Sequence, residues 1–142
     1  MSKTNKPYAL ALHGGAGAVA GRDYATVEEH LRELAGECEA LLADGGSALD
    51  VVETAVSELE SCGLYVAGRG SAPNTAGYVA LDASIMHGPA RDAGAVAALQ
   101  GFVNPIRIAR GVMEKTPHVL LVGKGAQRFA LEQLYAEVND PG

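Results

Sequence analysis

The sequence predicts an α/β fold, with helices and strands packed as layers in one domain, and three observations carry that prediction. Short apolar runs bounded by glycine or proline alternate with longer stretches whose apolar residues recur every three to four positions. The chain has 142 residues, about one domain at roughly 100–200 residues per domain. Hydrophobic residues make up 48% and charged residues 20%, with no long polar run, which is enough to bury a core and argues against intrinsic disorder.

Tyr8-Ala-Leu-Ala-Leu-His13 is a short apolar run stopped by Gly14 and Gly15, the pattern of a buried strand entering a tight loop, and it is predicted as the first strand. Thr26-Val-Glu-Glu29 fits a capping box. Val27, Leu31, Leu34, Cys38, Leu41 and Leu42 then give one apolar helical face that ends at Gly45-Gly46. A second box, Ser47-Ala-Leu-Asp50, opens a helix lined by Leu49, Val52, Val56 and Leu59. Residues 61–75 read as a long irregular loop, and loops of that length are usually functional or disordered.

Residues 78–86 and 93–99 are strand-like, separated by a turn with Gly88-Pro89, and pair most simply as antiparallel neighbours. Asn104-Pro105 caps and starts a helix with Ile106, Ala109, Val112 and Met113 inward, ending before Pro117. Residues 118–122 are a last short strand and 125–135 a last helix.

Composition removes several function classes. Eleven Lys and Arg against seventeen Asp and Glu give a net charge of −6 with no basic patch, so no nucleic-acid footprint is expected. Aromatics are 5% with no tryptophan, which disfavours a base-stacking platform. Cys38 and Cys62 form no CxxC pair and read as reduced thiols. The apolar run at 8–12 is too short for a secretory h-region or a membrane span, so no membrane partner and a cytoplasmic location are expected.

His13-Gly-Gly-Ala-Gly17 after a strand admits several readings. A phosphate cradle would want a GK[ST] or a complete GxGxxG. A hydrolase oxyanion loop would want a GxSxG elbow. A plain glycine turn between packed layers needs neither. Asp82, a lone carboxylate in a strand, reads as a backbone-bonding or interface residue rather than an acid catalyst.

Six motifs occur together in order: His13-Gly-Gly-Ala-Gly17, Ala67-Gly-Arg-Gly70, Leu81-Asp-Ala-Ser-Ile-Met86, Ala93-Gly-Ala-Val96, Asn104-Pro105 and Met113-Glu-Lys-Thr-Pro-His118. In this register, from Tyr8 to about Tyr135, the chain resembles the α subunit of the plant-type L-asparaginase/isoaspartyl peptidase family. The resemblance implies an N-terminal-nucleophile hydrolase with an αββα four-layer sandwich, in which residues 1–142 supply the α-subunit half of one αβ domain. It implies a precursor that cuts itself between a Gly and a Thr, and Gly142 is the residue type that precedes such a cut.

The implied partner is a β subunit whose N-terminal Thr is the nucleophile, its own amine acting as base, in an (αβ)2 heterotetramer. The implied substrates are small β-aspartyl amides: isoaspartyl dipeptides, and L-asparagine second. On this resemblance no catalytic residue lies in the chain, because the Thr, the Arg/Asp pair that grips the substrate's α-carboxylate and α-amine, and the oxyanion donors all belong to β. It also implies a structural sodium ion held by the carbonyls of Leu59, Glu60, Cys62, Tyr65, Ala67 and Arg69, with no organic cofactor.

His13, Gly14, Gly15 and Val66 would support the nucleophile. His13 is expected to be a hydrogen-bonded core histidine rather than a base. Two positions depart from the family pattern. Val66 stands where many members have Asn, which touches precursor maturation and leans the substrate toward dipeptides. Arg69 stands where small or apolar residues are common. The alternatives are a glycosylasparaginase or taspase-like subunit, and a non-catalytic homologue that binds a partner through an open sheet edge.

Overall fold

The computed structural model describes residues 7–138. In chain order its elements are helix α1 (Ala25–Ala43), helix α2 (Ala48–Ser61), a 3-10 turn (Gly68–Gly70), strand β1 (Leu81–His87), strand β2 (Asp92–Leu99), helix α3 (Pro105–Lys115), strand β3 (Leu120–Val122) and helix α4 (Gly123–Glu132). The α/β class is as the alternation of patterns predicts.

The sheet has the order β1-β2-β3. β1 and β2 are antiparallel, as expected, and β2 and β3 are parallel across the α3 crossover. The β1–β2 register shifts between Leu81 and Ala83. The shift is a bulge at Ala98, whose φ is +50°. The Asp82 carboxylate stabilises it by accepting the Ala98 N–H at 2.8 Å, so Asp82 bonds backbone, as its setting in the sequence suggested.

Helices α3 and α4 pack on the inner face of the sheet. Ile85, Val96 and Leu99 from the strands meet Ile106, Val112 and Ala126 from the helices, all buried, with Phe102 at the entry to α3. Full burial of each large apolar side chain is worth roughly 1.5–3 kcal/mol. A second, smaller cluster joins α1 to α2 through Leu34, Cys38, Val51 and Ala55, with Leu10 and Leu12 laid against it.

The opposite face of the sheet is uncovered among the described residues. The register aligns Met86 with Ala93, Ser84 with Ala95, Ala95 with Leu120 and Ala97 with Val122. Met86, Leu120 and Val122 are each more than half exposed.

Several local expectations change. Residues 8–13 form no strand and pair with none among the described residues. Their side chains alternate as a strand's do, with Leu10 and Leu12 turned to the helices, but no neighbouring described segment supplies a ladder. The Thr26 capping box is not formed. α1 begins at Ala25, two residues earlier than a Thr26 cap would give, Tyr24 is its N-cap without a side-chain bond, and Asp23 Oδ1 accepts the Ala25 N–H at 2.9 Å. Leu41, expected inward, is exposed.

Ser47 does cap α2, its Oγ accepting the Asp50 N–H at 3.1 Å, while the Asp50 carboxylate accepts the Ser47 hydroxyl at 2.6 Å rather than the Ser47 N–H of a full box. Yet α2 is sandwiched rather than one-faced: Val51 and Ala55 meet α1, Leu49 and Val56 meet the sheet side, and Val52 is exposed. β1 starts at Leu81 rather than 78, β3 at Leu120 rather than 118, and α4 spans Gly123–Glu132 rather than 125–135. Pro105 sits at the start of α3 as predicted, but Asn104 makes no side-chain cap bond. Its amide is engaged elsewhere.

Candidate functional site

The chain after α2 folds back on the helix it leaves. Cys62 closes the last turn by donating its N–H to the Glu58 carbonyl at 3.0 Å. The carbonyls of Leu59 and Glu60 receive no backbone N–H from the described residues, as is usual in a last helical turn, where the dipole is negative. Leu59 takes the Cys62 thiol instead, at 3.6 Å.

The 3-10 turn then returns over these carbonyls. Gly68 has φ +51°, and a Cβ there would run into the Glu60 carbonyl. A Cβ at Gly70 would run into that of Tyr65. Both glycines are thus fixed by close approach, not by turn propensity alone. The Ala67 carbonyl accepts the Gly70 N–H at 3.0 Å and keeps a lone pair. Of the carbonyls that the resemblance implies, those of Glu60 and Tyr65 thus lie against the glycines of the 3-10 turn, close to the C-terminus of α2. Neutral oxygens of this kind suit a hard monovalent cation.

Tyr65 ties that loop to α1. Its ring is buried, its hydroxyl donates to the Val27 carbonyl at 3.3 Å, and it accepts from His30 Nδ1 at 3.0 Å. This network assigns the Nδ1–H tautomer to His30. Burial, and more weakly the neighbouring Cys62, raises the Tyr65 phenol above its ordinary value. The other side of the ring lies against Gly14, where a Cβ would come to 2.9 Å from Tyr65 Cε1.

His13 is exposed rather than in the core. It is hydrogen-bonded, as expected, but to its own loop, where the Gly15 N–H donates to His13 Nδ1 at 3.1 Å. Together these segments wall an open pocket of about 760 Å³. His13, Gly14 and Gly15 line one side and Val66, 84% exposed, with Ala67 and Tyr65 the other. Arg22, Tyr24 and Glu28 line it where α1 begins. Arg69 is exposed on the 3-10 turn and, like Glu60 and Cys62, does not line the pocket.

The root of the loop is held by a polar junction between α2 and α3. Glu60 is 3% exposed. Its Oε1 accepts the Ile106 N–H at 3.2 Å, which makes it the acceptor that caps the start of α3, and its Oε2 faces the Asn104 amide at 3.3 Å. That amide also donates to the Ser57 carbonyl at 3.0 Å and to Ser61 Oγ at 2.9 Å. Burial pushes the Glu60 carboxyl up to about 7, against the opposing pull of Asn104, the Ile106 N–H and Arg107.

Further out, Arg110 binds Asp50, Glu53 and Glu114 at 2.7–2.8 Å. Its guanidinium is held protonated, chiefly by Glu114. Sequence reasoning missed the Glu60 junction, the Tyr65–His30 tie and the wall from Arg22 to Glu28. Asn104-Pro105 was the one signal near the first, and it reads locally as an ordinary cap.

The structure thus offers an α/β scaffold with a pocket walled by residues 13–15 on one side and by Tyr65, Val66 and Ala67 on the other. Comparison with known proteins gives the family: residues 6–141 match the one described as asparaginase, and the chain belongs to it. It is 48% identical over 128 residues, 86% of its length, to the plant-type L-asparaginase of Thermococcus kodakarensis. It is 44% identical over 136 residues, 92% of its length, to the isoaspartyl peptidase of Salmonella typhimurium, and 45% identical over 124 residues, 87%, to the human isoaspartyl peptidase/L-asparaginase. The chain spans only 40%, 43% and 40% of those relatives, respectively.

Proposed function

We propose that this chain is the α portion of an amidohydrolase that cleaves β-aspartyl amide bonds, isoaspartyl dipeptides first and L-asparagine second. The observation that carries the reading is the meeting of His13-Gly14-Gly15 with Val66-Ala67 in one pocket of a chain of this family. No Ser, Thr or Cys is among the described residues lining that pocket, so covalent acyl transfer there needs a nucleophile from elsewhere. An N-terminal Thr freed by self-cleavage, on a β chain that follows the α portion, supplies it.

In that reaction the Thr hydroxyl, its proton taken by the Thr amine, adds to the substrate's amide carbonyl. The C–N bond breaks as the leaving amine takes that proton, and water then hydrolyses the aspartyl ester. The α portion contributes position. Gly14 and Gly15 bring bare backbone next to the reacting bond, and Tyr65 fixes Gly14 from below.

Leu59, Glu60, Cys62, Tyr65, Ala67 and Arg69 would hold sodium through their carbonyls, and the ion would stiffen the loop behind the substrate. The open sheet face with Met86, Leu120 and Val122 and the unpaired strand-like segment at 8–13 support a second sheet packed against this one, giving the αββα sandwich. A twofold (αβ)2 assembly and a cytoplasmic location complete the proposal. None of the described helices is long and apolar enough to cross a membrane.

The test is an intact-mass spectrum of the purified full-length product, N-terminal sequencing of each chain, and assay on a β-aspartyl dipeptide. Two chains, the second beginning with Thr, and release of aspartate are expected. Hydrolysis by the α portion alone would overturn the proposal.

A further inference from the structure

The pocket wall contains a cation that the hydrolytic scheme leaves without a task. Arg22 is the one Lys or Arg among the described residues lining the pocket. No described carboxylate forms an ion pair with it. Its guanidinium instead lies over the Tyr24 ring, 5.5 Å from the centroid. The segment presenting it is closed on itself: the Val19 N–H donates to Tyr24 Oη at 2.7 Å, and the Arg22 N–H donates to the Val19 carbonyl at 3.2 Å. This cation–π contact favours a guanidinium position beside Tyr24 and leaves N–H groups available to a planar anion. Glu28, also on the wall, disfavours an anion along its own side, so the anion's place is against Arg22.

We infer that Arg22 binds the carboxylate of the leaving amino acid in a β-aspartyl dipeptide and so selects dipeptides over asparagine. This rests on the hydrolysis proposed above. A β-aspartyl dipeptide carries two carboxylates, and each needs a cationic partner in the site. The aspartyl carboxylate is the one expected to be gripped by the β chain. The second belongs to the leaving residue, and asparagine, which releases ammonia, has no counterpart to it.

The test compares kcat/KM of the mature enzyme on a β-aspartyl dipeptide and on the same dipeptide with its C-terminus amidated. Wild type is expected to prefer the free acid. Arg22→Gln is expected to lower the acid-to-amide ratio about tenfold, mainly through KM, since a hydrogen-bonded charge pair at a partly solvated site is worth about one decade. Arg22→Lys keeps part of the ratio. Because both substrates meet the same molecules, a partly misfolded preparation leaves the ratio unchanged. A ratio that Arg22→Gln does not move overturns the inference alone. Failure of wild type to hydrolyse either substrate overturns the hydrolytic reading, and the inference with it.

Discussion

Glu60 is a carboxylate sealed between two helices, and its burial makes a sharp statement about stability and pH. Its folded pKa is raised to about 7, whereas an unfolded Glu titrates near 4.3. Between those values the folded state binds more protons than the unfolded one, so stability falls as pH rises through the window and is level, for this group, on either side. At 1.36 kcal/mol per unit, a shift of this size amounts to about 3 kcal/mol between pH 4 and pH 8.

Glu60→Gln removes the charge and keeps an acceptor for the Ile106 N–H. It also turns an amide NH2 toward Asn104, whose amide already donates to Ser57 and Ser61. That lost contact costs about 1 kcal/mol. Above pH 7 the relief of a buried charge exceeds this cost, and below pH 4.5 nothing offsets it. In the intact protein at constant sodium, the variant should therefore have the higher apparent Tm at pH 8 and the lower at pH 4.5. Melting curves of the two proteins that run parallel from pH 4.5 to pH 8 would refute the reasoning.

Three other perturbations test the loop and the pocket. Gly68→Ala places a Cβ against the Glu60 carbonyl at a left-handed φ; a loss of about 2 kcal/mol or more by denaturant melt is expected from backbone strain and clash, with activity reduced in step. Replacing sodium by a larger monovalent cation should weaken activity while a chelator such as EDTA does not, and an enzyme indifferent to the monovalent ion counts against the carbonyl assignment. Val66→Asn, on a side chain 84% exposed in the pocket, should speed self-cleavage of the precursor; an unchanged or slower rate by gel sinks that expectation.

What the sequence reveals divides by the range of the interaction. The Ser47 cap, the β1–β2 hairpin and the start of α3 at Pro105 are decided within a few residues, and each is found where the pattern puts it. The glycines at 14–15 and 68–70 are legible as punctuation, and the structure brings 13–15 and 66–67 to one pocket, while the part they play there is the proposal made above. What escaped joins positions far apart. Glu60 sits in a helix whose pattern does not betray that its carboxylate will cap α3, 46 residues on. Tyr65 reads as one aromatic in a loop, yet it bonds to α1 at a separation of 38 residues.

The errors follow the same physics. Thr26 lost its capping role because Asp23 offered an acceptor one turn earlier, a competition between neighbours that a motif search settles by rank order. Residues 8–13 fail as a strand for a different reason. Alternation is a property of the segment, while a ladder is a property of a pair, and Leu10 and Leu12 already satisfy the first condition by packing on α1 and α2. The N–H and C=O groups of this segment need acceptors and donors. Its continuation, His13 to Gly15, forms one wall of the pocket. A strand laid beside it would therefore do two things at once: complete the ladder and carry a reactive group to the pocket's open side. The proposed β chain is expected to do both, so pairing along residues 8–13 and assembly of the catalytic centre should be lost together when either is disrupted.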